Sequence, residues 1–347
     1  MGAWRTWNVE VLRATRAAGN QTGCGPGCCH DGERFGVECF DVEACAAGAR
    51  RGGRYAFVNV QIGSPGFNLG NIKGARLQAA VLEAEMGAVV DIVMLVPTWD
   101  EEKWSLERRK QLLRYGVRIV TVPWTIPPTM TWRPESKGNW CGPMDFVRFH
   151  AFGLTDYDAV VYYDQDVQLQ GDVGAVLKCA ATERVFLATS ALFAAINLGF
   201  FALRPDARLL EAVLLFANGS NFTHQTGWAD SGWLPWDRPF VFGGECGQGY
   251  INSLLYQKHS KKGQEALRVA GLVGESAFRA VTLDRCIWNY ASVGKGGGCP
   301  TLNCDLIRGH HKPEDDRGGI RCPKFRNRKF TTWTTPHPIM EALSKLP

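Results

Sequence analysis

The apolar residues in the middle of this chain fall into two rhythms. Phe57-Val58-Asn59-Val60 is a short apolar run closed by Gly63-Ser64-Pro65-Gly66, which reads as a buried strand and its turn. From Lys73 to Met86 the apolar positions Leu77, Ala80, Val81 and Ala84 recur at helical spacing. Val89 to Val96 predicts a second buried strand. Asp100 to Tyr115 predicts a charged amphipathic helix, with Asp100 as N-cap and Gly116 as stop, and Val117 to Val122 a third strand. Strands alternating with helices predict an α/β domain, Rossmann-like, with a mostly parallel central sheet and helices on both faces. In such sheets ligands bind beyond the C-terminal ends of the strands.

A loop rich in Pro and Trp spans 123–143. After it, Asp145 to Phe152 predicts a short helix, and Val160 to Tyr163 a buried strand that runs straight into Asp164-Gln165-Asp166. Leu198 to Leu203 predicts a further strand, and Ala207 to Ala217 and Cys246 to Lys258 two more helices. Residues 218–242 read as a long surface loop. Its Trp228, Trp233 and Trp236 suit stacking on sugar rings or on a lipid-linked acceptor, or equally anchoring of the loop to the core. Residues 1–53 read as a Gly/Cys-rich extension, 54–315 as the functional domain and 316–347 as a tail.

Composition narrows the classes. The 347 residues carry a net charge of +5, but the basic side chains are scattered, which excludes a nucleic-acid footprint. Twelve cysteines cluster towards the two ends, with Cys24, Cys28, Cys29, Cys39 and Cys45 at one and Cys299, Cys304 and Cys322 at the other. That clustering predicts disulfides pinning irregular segments. A zinc site at Cys24 to Cys29 lacks a second ligand pair. Asn-x-Ser/Thr sequons at Asn20, Asn218 and Asn221 point, with the cysteines, to the Golgi or secretory lumen. Residues 1–19 hold no continuous apolar run, so no signal peptide and no transmembrane segment is expected there, and a cytoplasmic location is the alternative. A homodimer is compatible with these features.

Two carboxylates one residue apart at a strand end place negative charge where a ligand binds. Hard cations such as Mn²⁺ or Mg²⁺ take oxygen ligands and bridge diphosphate oxygens. Asp-x-Asp can also be no more than a turn after a strand. The surroundings decide between the two. Tyr157-Asp158-Ala159-Val160-Val161-Tyr162-Tyr163-Asp164-Gln165-Asp166 resembles the central motif of the glycogenin-like glycosyltransferases, family 8. Arg148 stands where that family carries a Lys or Arg before the motif. Asn197-Leu198-Gly199 is similar to its Asn-x-Gly strand, Gln248-Gly249-Tyr250-Ile251-Asn252 to its Gln-Gly helix start, and Gly309-His310-His311-Lys312-Pro313 to its closing motif. Lys73-Gly74-Ala75 fits as well. The likeness covers residues 55–315 or so.

The resemblance implies a GT-A fold, a UDP-sugar donor, Mn²⁺ (or Mg²⁺), and transfer to a glycan, protein or lipid acceptor with retention at the anomeric carbon. It implies that Asp164 and Asp166 bind the metal, with Asp164 also near the ribose. Arg148 and Lys312 would meet the diphosphate, and Lys312 would stabilise the leaving group. Asn197 and Gln248 would line the sugar pocket, while Gly199 and Gly309 would allow close backbone approach. The chain departs from the family in two places. The Asp before Gln-Gly is Gly247, with Glu245 two residues earlier, and the metal-binding His position is Leu306. His310 or His311, or Asp305, would then supply the third ligand. The alternative reading is a glycosyltransferase-like protein that binds a sugar nucleotide or glycan without transferring. A Rossmann dehydrogenase is excluded, because Gly63-Ser64-Pro65-Gly66-Phe67 lacks the glycine pattern that seats a pyrophosphate.

Overall fold

The computed structural model of the chain describes residues 37–61, 69–101, 105–123, 143–169, 172–191, 194–223, 225–231, 244, 246–256, 260–291 and 307–311. The first half alternates as the apolar pattern requires: β1 (Arg54–Val60), α2 (Leu69–Met86), β2 (Val89–Pro97), α3 (Thr98–Glu101), α4 (Leu106–Arg114) and β3 (Val117–Val122), preceded by a short helix α1 (Val42–Ala46). A 3-10 segment (Pro143–Gly153) leads into β4 (Ala159–Tyr163), β5 (Val167–Leu169), α5 (Gly174–Thr182), β6 (Val185–Ala191), β7 (Ala194–Leu203) and α6 (Ala207–Ala217). Then come the hairpin strands β8 (Phe222–Thr223) and β9 (Gly227–Trp228), α7 (Gly247–Ile251), a π-wound turn (Asn252–Tyr256), α8 (Lys261–Val269), β10 (Arg279–Leu283), α9 (Arg285–Trp288), β11 (Tyr290–Ala291) and β12 (Gly309–His311).

The fold is mixed α/β around a seven-stranded sheet of order β10-β6-β7-β4-β1-β2-β3. All pairings are parallel except the two made by β7, which runs against both β4 and β6. Alternate residues of each strand enter opposite cores. Tyr55 and Phe57 pack with Ile72, Ala79 and Leu82 of α2 and Val176 and Leu177 of α5. Ala56 and Val58 pack with Phe146, Phe149 and Phe152 and with Leu209, Val213 and Phe216 of α6. A sheet covered on both faces buries both sets, which is why these strands read as unbroken apolar runs.

Three expected helices differ in detail. The helix expected over Asp100–Tyr115 is two, and Asp100 is not its N-cap but a fully buried residue inside α3. Ser105 precedes α4, and its carbonyl accepts from Arg109 N at 3.2 Å, so the usable capping residue lay five positions further on. The short helix expected over Asp145–Phe152 is 3-10 rather than α. Its buried aromatics, Phe146, Phe149 and Phe152, recur every third residue, the period of a 3-10 turn. The helix expected over Cys246–Lys258 is α only to Ile251 and π-wound beyond, with Asn252 and Ser253 buried and Ser253 Oγ held by Ser231 Oγ at 2.8 Å.

The segment before β1 packs on this body. Phe40 N donates to Thr282 O at 3.0 Å and Thr282 N to Glu38 O at 2.9 Å, covering the β10 edge of the sheet. Cys45 of α1 is disulfide-bonded to Cys179 of α5. Cys39, Cys246 and Cys286 are disulfide-bonded as well.

Candidate functional site

The antiparallel course of β7 builds the site. Because β7 opposes β4, its C-terminal half pairs with β4, with Tyr163 opposite Phe200, and its N-terminal half lies beyond the C-terminal end of β4. Asp164 N donates to Gly199 O at 2.8 Å, so Asp164 continues the ladder one step past the strand. Asn197-Leu198-Gly199 and Asp164-Gln165-Asp166, far apart in sequence, therefore share one end of the sheet. Asn197 Oδ1 accepts from Gly199 N at 2.8 Å and fixes that stretch of the strand.

A second, three-stranded sheet of order β11-β12-β5 brings in the histidine. β12 pairs antiparallel with β5, placing His311 opposite Val167, the residue after Asp166. His311 Nε2 lies 3.3 Å from Asp166 Oδ1. Asp164, Asp166 and His311 offer ligand atoms that all lie within 4.8 Å of one another. His311 Nδ1 is buried with no hydrogen-bond partner among the described residues. Its ring rests against Gly199, where a Cβ would stand 3.1 Å from Nδ1. Two carboxylates and an imidazole in that arrangement fit a divalent cation such as Mn²⁺ or Mg²⁺.

Asp164 is held on two sides. Tyr162 Oη donates to its Oδ1 at 2.6 Å, and Arg148 Nη1 lies 3.2 Å from the same oxygen. Burial pushes the Tyr162 phenol well above its ordinary range, so it keeps the proton it donates. Arg148 also spans Leu198 O (2.9 Å, through Nη1), Asp145 O (2.8 Å, through Nε) and the Asp145 carboxylate (through Nη2). Burial works against its charge, but Asp145 and Asp164 more than offset that, and the guanidinium stays charged. Its guanidinium lies over the Tyr162 ring, 5.1 Å from the centroid. Most of its hydrogen-bonding capacity is thus spent on the protein, fixing Asp164 and the middle of β7.

Beside Asp164 lies a small polar cleft that the sequence reading did not single out. It is lined by Asn59, Gln61, Asn71, Tyr163 and Gln165, with Ile72 and Met94. Asn59 Nδ2 donates to Tyr163 O at 2.6 Å, and Gln165 Nε2 donates to Gln61 Oε1 at 2.7 Å and Val60 O at 2.8 Å. Asn71 Nδ2 donates to Gln165 O. Buried amides at the end of an otherwise apolar run, Asn59 and Gln61, were the available signal.

The remaining expected residues fall as follows. Gln248 lies in the first turn of α7, half-buried. Gly309 does permit a close backbone approach, but by Trp288, whose carbonyl would stand 2.4 Å from a Cβ there. His310 pairs with Gln168 through its backbone, and its side chain lies outside the described residues. Lys312, Leu306, Asp305 and Glu245 also lie outside them. In the 218–242 loop, Trp228 is an anchor: it is buried against Phe146, Phe222 and Tyr250, and its Nε1 donates to Gly244 O at 2.8 Å. Trp233 and Trp236 lie outside the described residues.

No protein-family model and no curated protein matches the chain. Among solved structures it is similar to the bifunctional glycosyltransferase WbbM, at 11% identity over 76% of this chain and 46% of that one, TM-score 0.40. It is similar also to the glycosyltransferase GlyE of Streptococcus pneumoniae TIGR4 (12% identity, 76% of this chain and 55% of that one, TM-score 0.37). A third is the galactosyltransferase LgtC (12% identity, 84% and 94%, TM-score 0.35). The chain spans about half the length of the first two. At such identities and TM-scores these likenesses carry no argument about chemistry, which rests on the side chains gathered at the end of β4.

Proposed function

We propose that the chain is a glycosyltransferase of GT-A type that moves a sugar from a UDP-sugar to a glycan, protein or lipid acceptor, using Mn²⁺ or Mg²⁺. The observation that carries this reading is the convergence of Asp164, Asp166 and His311 beside an amide-lined cleft at the C-terminal edge of a mostly parallel sheet. Ligands of α/β sheets bind at that edge. The domain proper is residues 54–315.

In this reading Asp164, Asp166 and His311 hold the cation, which would neutralise charge developing on the departing diphosphate. Arg148 holds Asp164 in place, with Nη1 3.2 Å from its Oδ1. Asn197 and Gln248 face the sugar from β7 and α7. Lys312, next in the chain to His311, would supply positive charge to the diphosphate, a form of stabilisation that strengthens as the bond breaks. Transfer proceeds with retention, with departure and attack on the same face of the sugar and the leaving phosphate taking the acceptor's proton. The disulfides support an oxidising compartment, the Golgi or secretory lumen.

Calorimetric titration of UDP in the presence of Mn²⁺ tests the site. Binding that requires the cation and is lost in Asp166→Ala is expected. UDP binding of equal strength in EDTA would remove the metal from the account.

A further inference from the structure

No acid stands at position 247, and the space beside it is taken by another side chain. A Cβ built on Gly247 would lie 2.7 Å from Asp145 Oδ2 and 3.4 Å from Asp145 Cγ, with Phe149 Cζ at 3.1 Å. The Asp145 carboxylate therefore occupies the volume into which a side chain at 247 would project. Gly247 N donates to Asp145 Oδ2 at 2.7 Å, while the other oxygen, Oδ1, takes Arg148 Nη2. The N-cap residue of α7, Cys246, makes no side-chain capping bond, so Asp145 satisfies this first-turn N–H from outside the helix.

The 3-10 winding explains why Asp145 can do both. Residues three apart are eclipsed on a 3-10 helix, so Asp145 and Arg148 stand on one ridge while Phe146, Phe149 and Phe152 stay in the core. Both side chains are 12% exposed. A buried guanidinium needs a paired carboxylate, and Asp164 alone would have to serve both Arg148 and the cation.

We propose that Asp145 is the positioning carboxylate of this site, taking from the 3-10 segment the place that an acid at 247 would take from α7. It holds Arg148 against Asp164 and Leu198 O, and it ties the helix bearing Gln248 to the same cluster. It touches no reacting atom and acts through Arg148. The proposal rests on the nucleotide and metal reading above.

The test is a relocation of the carboxylate: wild type, Asp145→Ala, Gly247→Asp and the Asp145→Ala/Gly247→Asp double variant. Two quantities are read, chemical unfolding and calorimetric binding of UDP with Mn²⁺. In each single variant stability falls and UDP affinity falls by about ten-fold or more, the scale of losing a residue that orients metal ligands. In the double variant both recover, with affinity within about three-fold of wild type, because coupled residues give non-additive cycles. Wild-type UDP affinity in Asp145→Ala, whatever its stability, would overturn the proposal and leave Asp145 a packing residue. So would a double variant no better than the worse single one. If the wild type itself binds no UDP with Mn²⁺, the nucleotide reading fails. The unfolding cycle then decides alone: recovery supports the exchange of carboxylates, and its absence overturns it.

Discussion

The imidazole of His311 occupies the space that a side chain at residue 199 would need: a Cβ on Gly199 would lie 2.7 Å from His311 Cε1. The Asn-x-Gly segment within β7 and the histidine of β12 are thus one piece of packing. The absence of a side chain at Gly199 makes room for this ring and for Asn197 Oδ1, which a Cβ would meet at 2.9 Å.

Gly199→Ala should therefore displace His311 from Asp166 without replacing any of the three proposed metal ligands. We expect Mn²⁺ affinity, measured by calorimetry, to fall by about 10- to 100-fold, as for other changes that disorient a ligand. Unchanged affinity would mean that His311 takes no part in holding the cation.

Removing the Cys45–Cys179 disulfide should destabilise the fold. It closes a loop with a sequence separation of 134 residues, and loss of such a link from the folded protein costs about 2 to 5 kcal/mol. Urea unfolding of Cys45→Ser/Cys179→Ser against the oxidised wild type reads this directly. Equal midpoints would show that α1 adds nothing to the stability of the body it packs on.

Acid sensitivity should trace in part to Asp206. It caps α6 by accepting from Arg208 N at 3.0 Å and pairs with the Arg208 and Arg184 side chains. Hydrogen bonding from Arg208, helped by Arg184 and opposed by burial, brings its pKa down to about 2 from an ordinary 3.8. The folded value is the lower one, so the ionised form favours the fold. This stabilisation is complete above about pH 4 and is lost as the pH falls towards 2. Asp206→Asn should cost about 1 to 2 kcal/mol at neutral pH through the weakened cap and flatten the stability profile between pH 4 and 2. A variant with the same acid profile as the wild type would place the titration elsewhere.

Much of this was legible in the sequence, and the gaps have physical causes. β1, β2 and β4 announced themselves because both faces are buried and the apolar runs are nearly continuous. Asp164-Gln165-Asp166 stood out because it follows such a run directly. β5 and β12 did not, since three-residue strands carry too few positions to show a period, and so His311 could not be chosen over His310. The every-third spacing of Phe146, Phe149 and Phe152 was visible, but over eight residues it reads as helix of either kind. Disulfide partners such as Cys45 and Cys179 cannot be paired from sequence at all. Gly247 read as a loss because nothing in the chain's order links it to Asp145, which lies across the fold.

The central claim is metal-dependent transfer from a nucleotide sugar, and UDP release from a panel of UDP-sugars with acceptor mixtures tests it most directly. The account predicts release from one sugar with Mn²⁺, abolished by EDTA and by Asp166→Ala. Release that persists in EDTA, or in Asp166→Ala, would contradict it. UDP binding with Mn²⁺ but no release from any sugar across the panel would make the protein a binder of sugar nucleotides rather than a transferase.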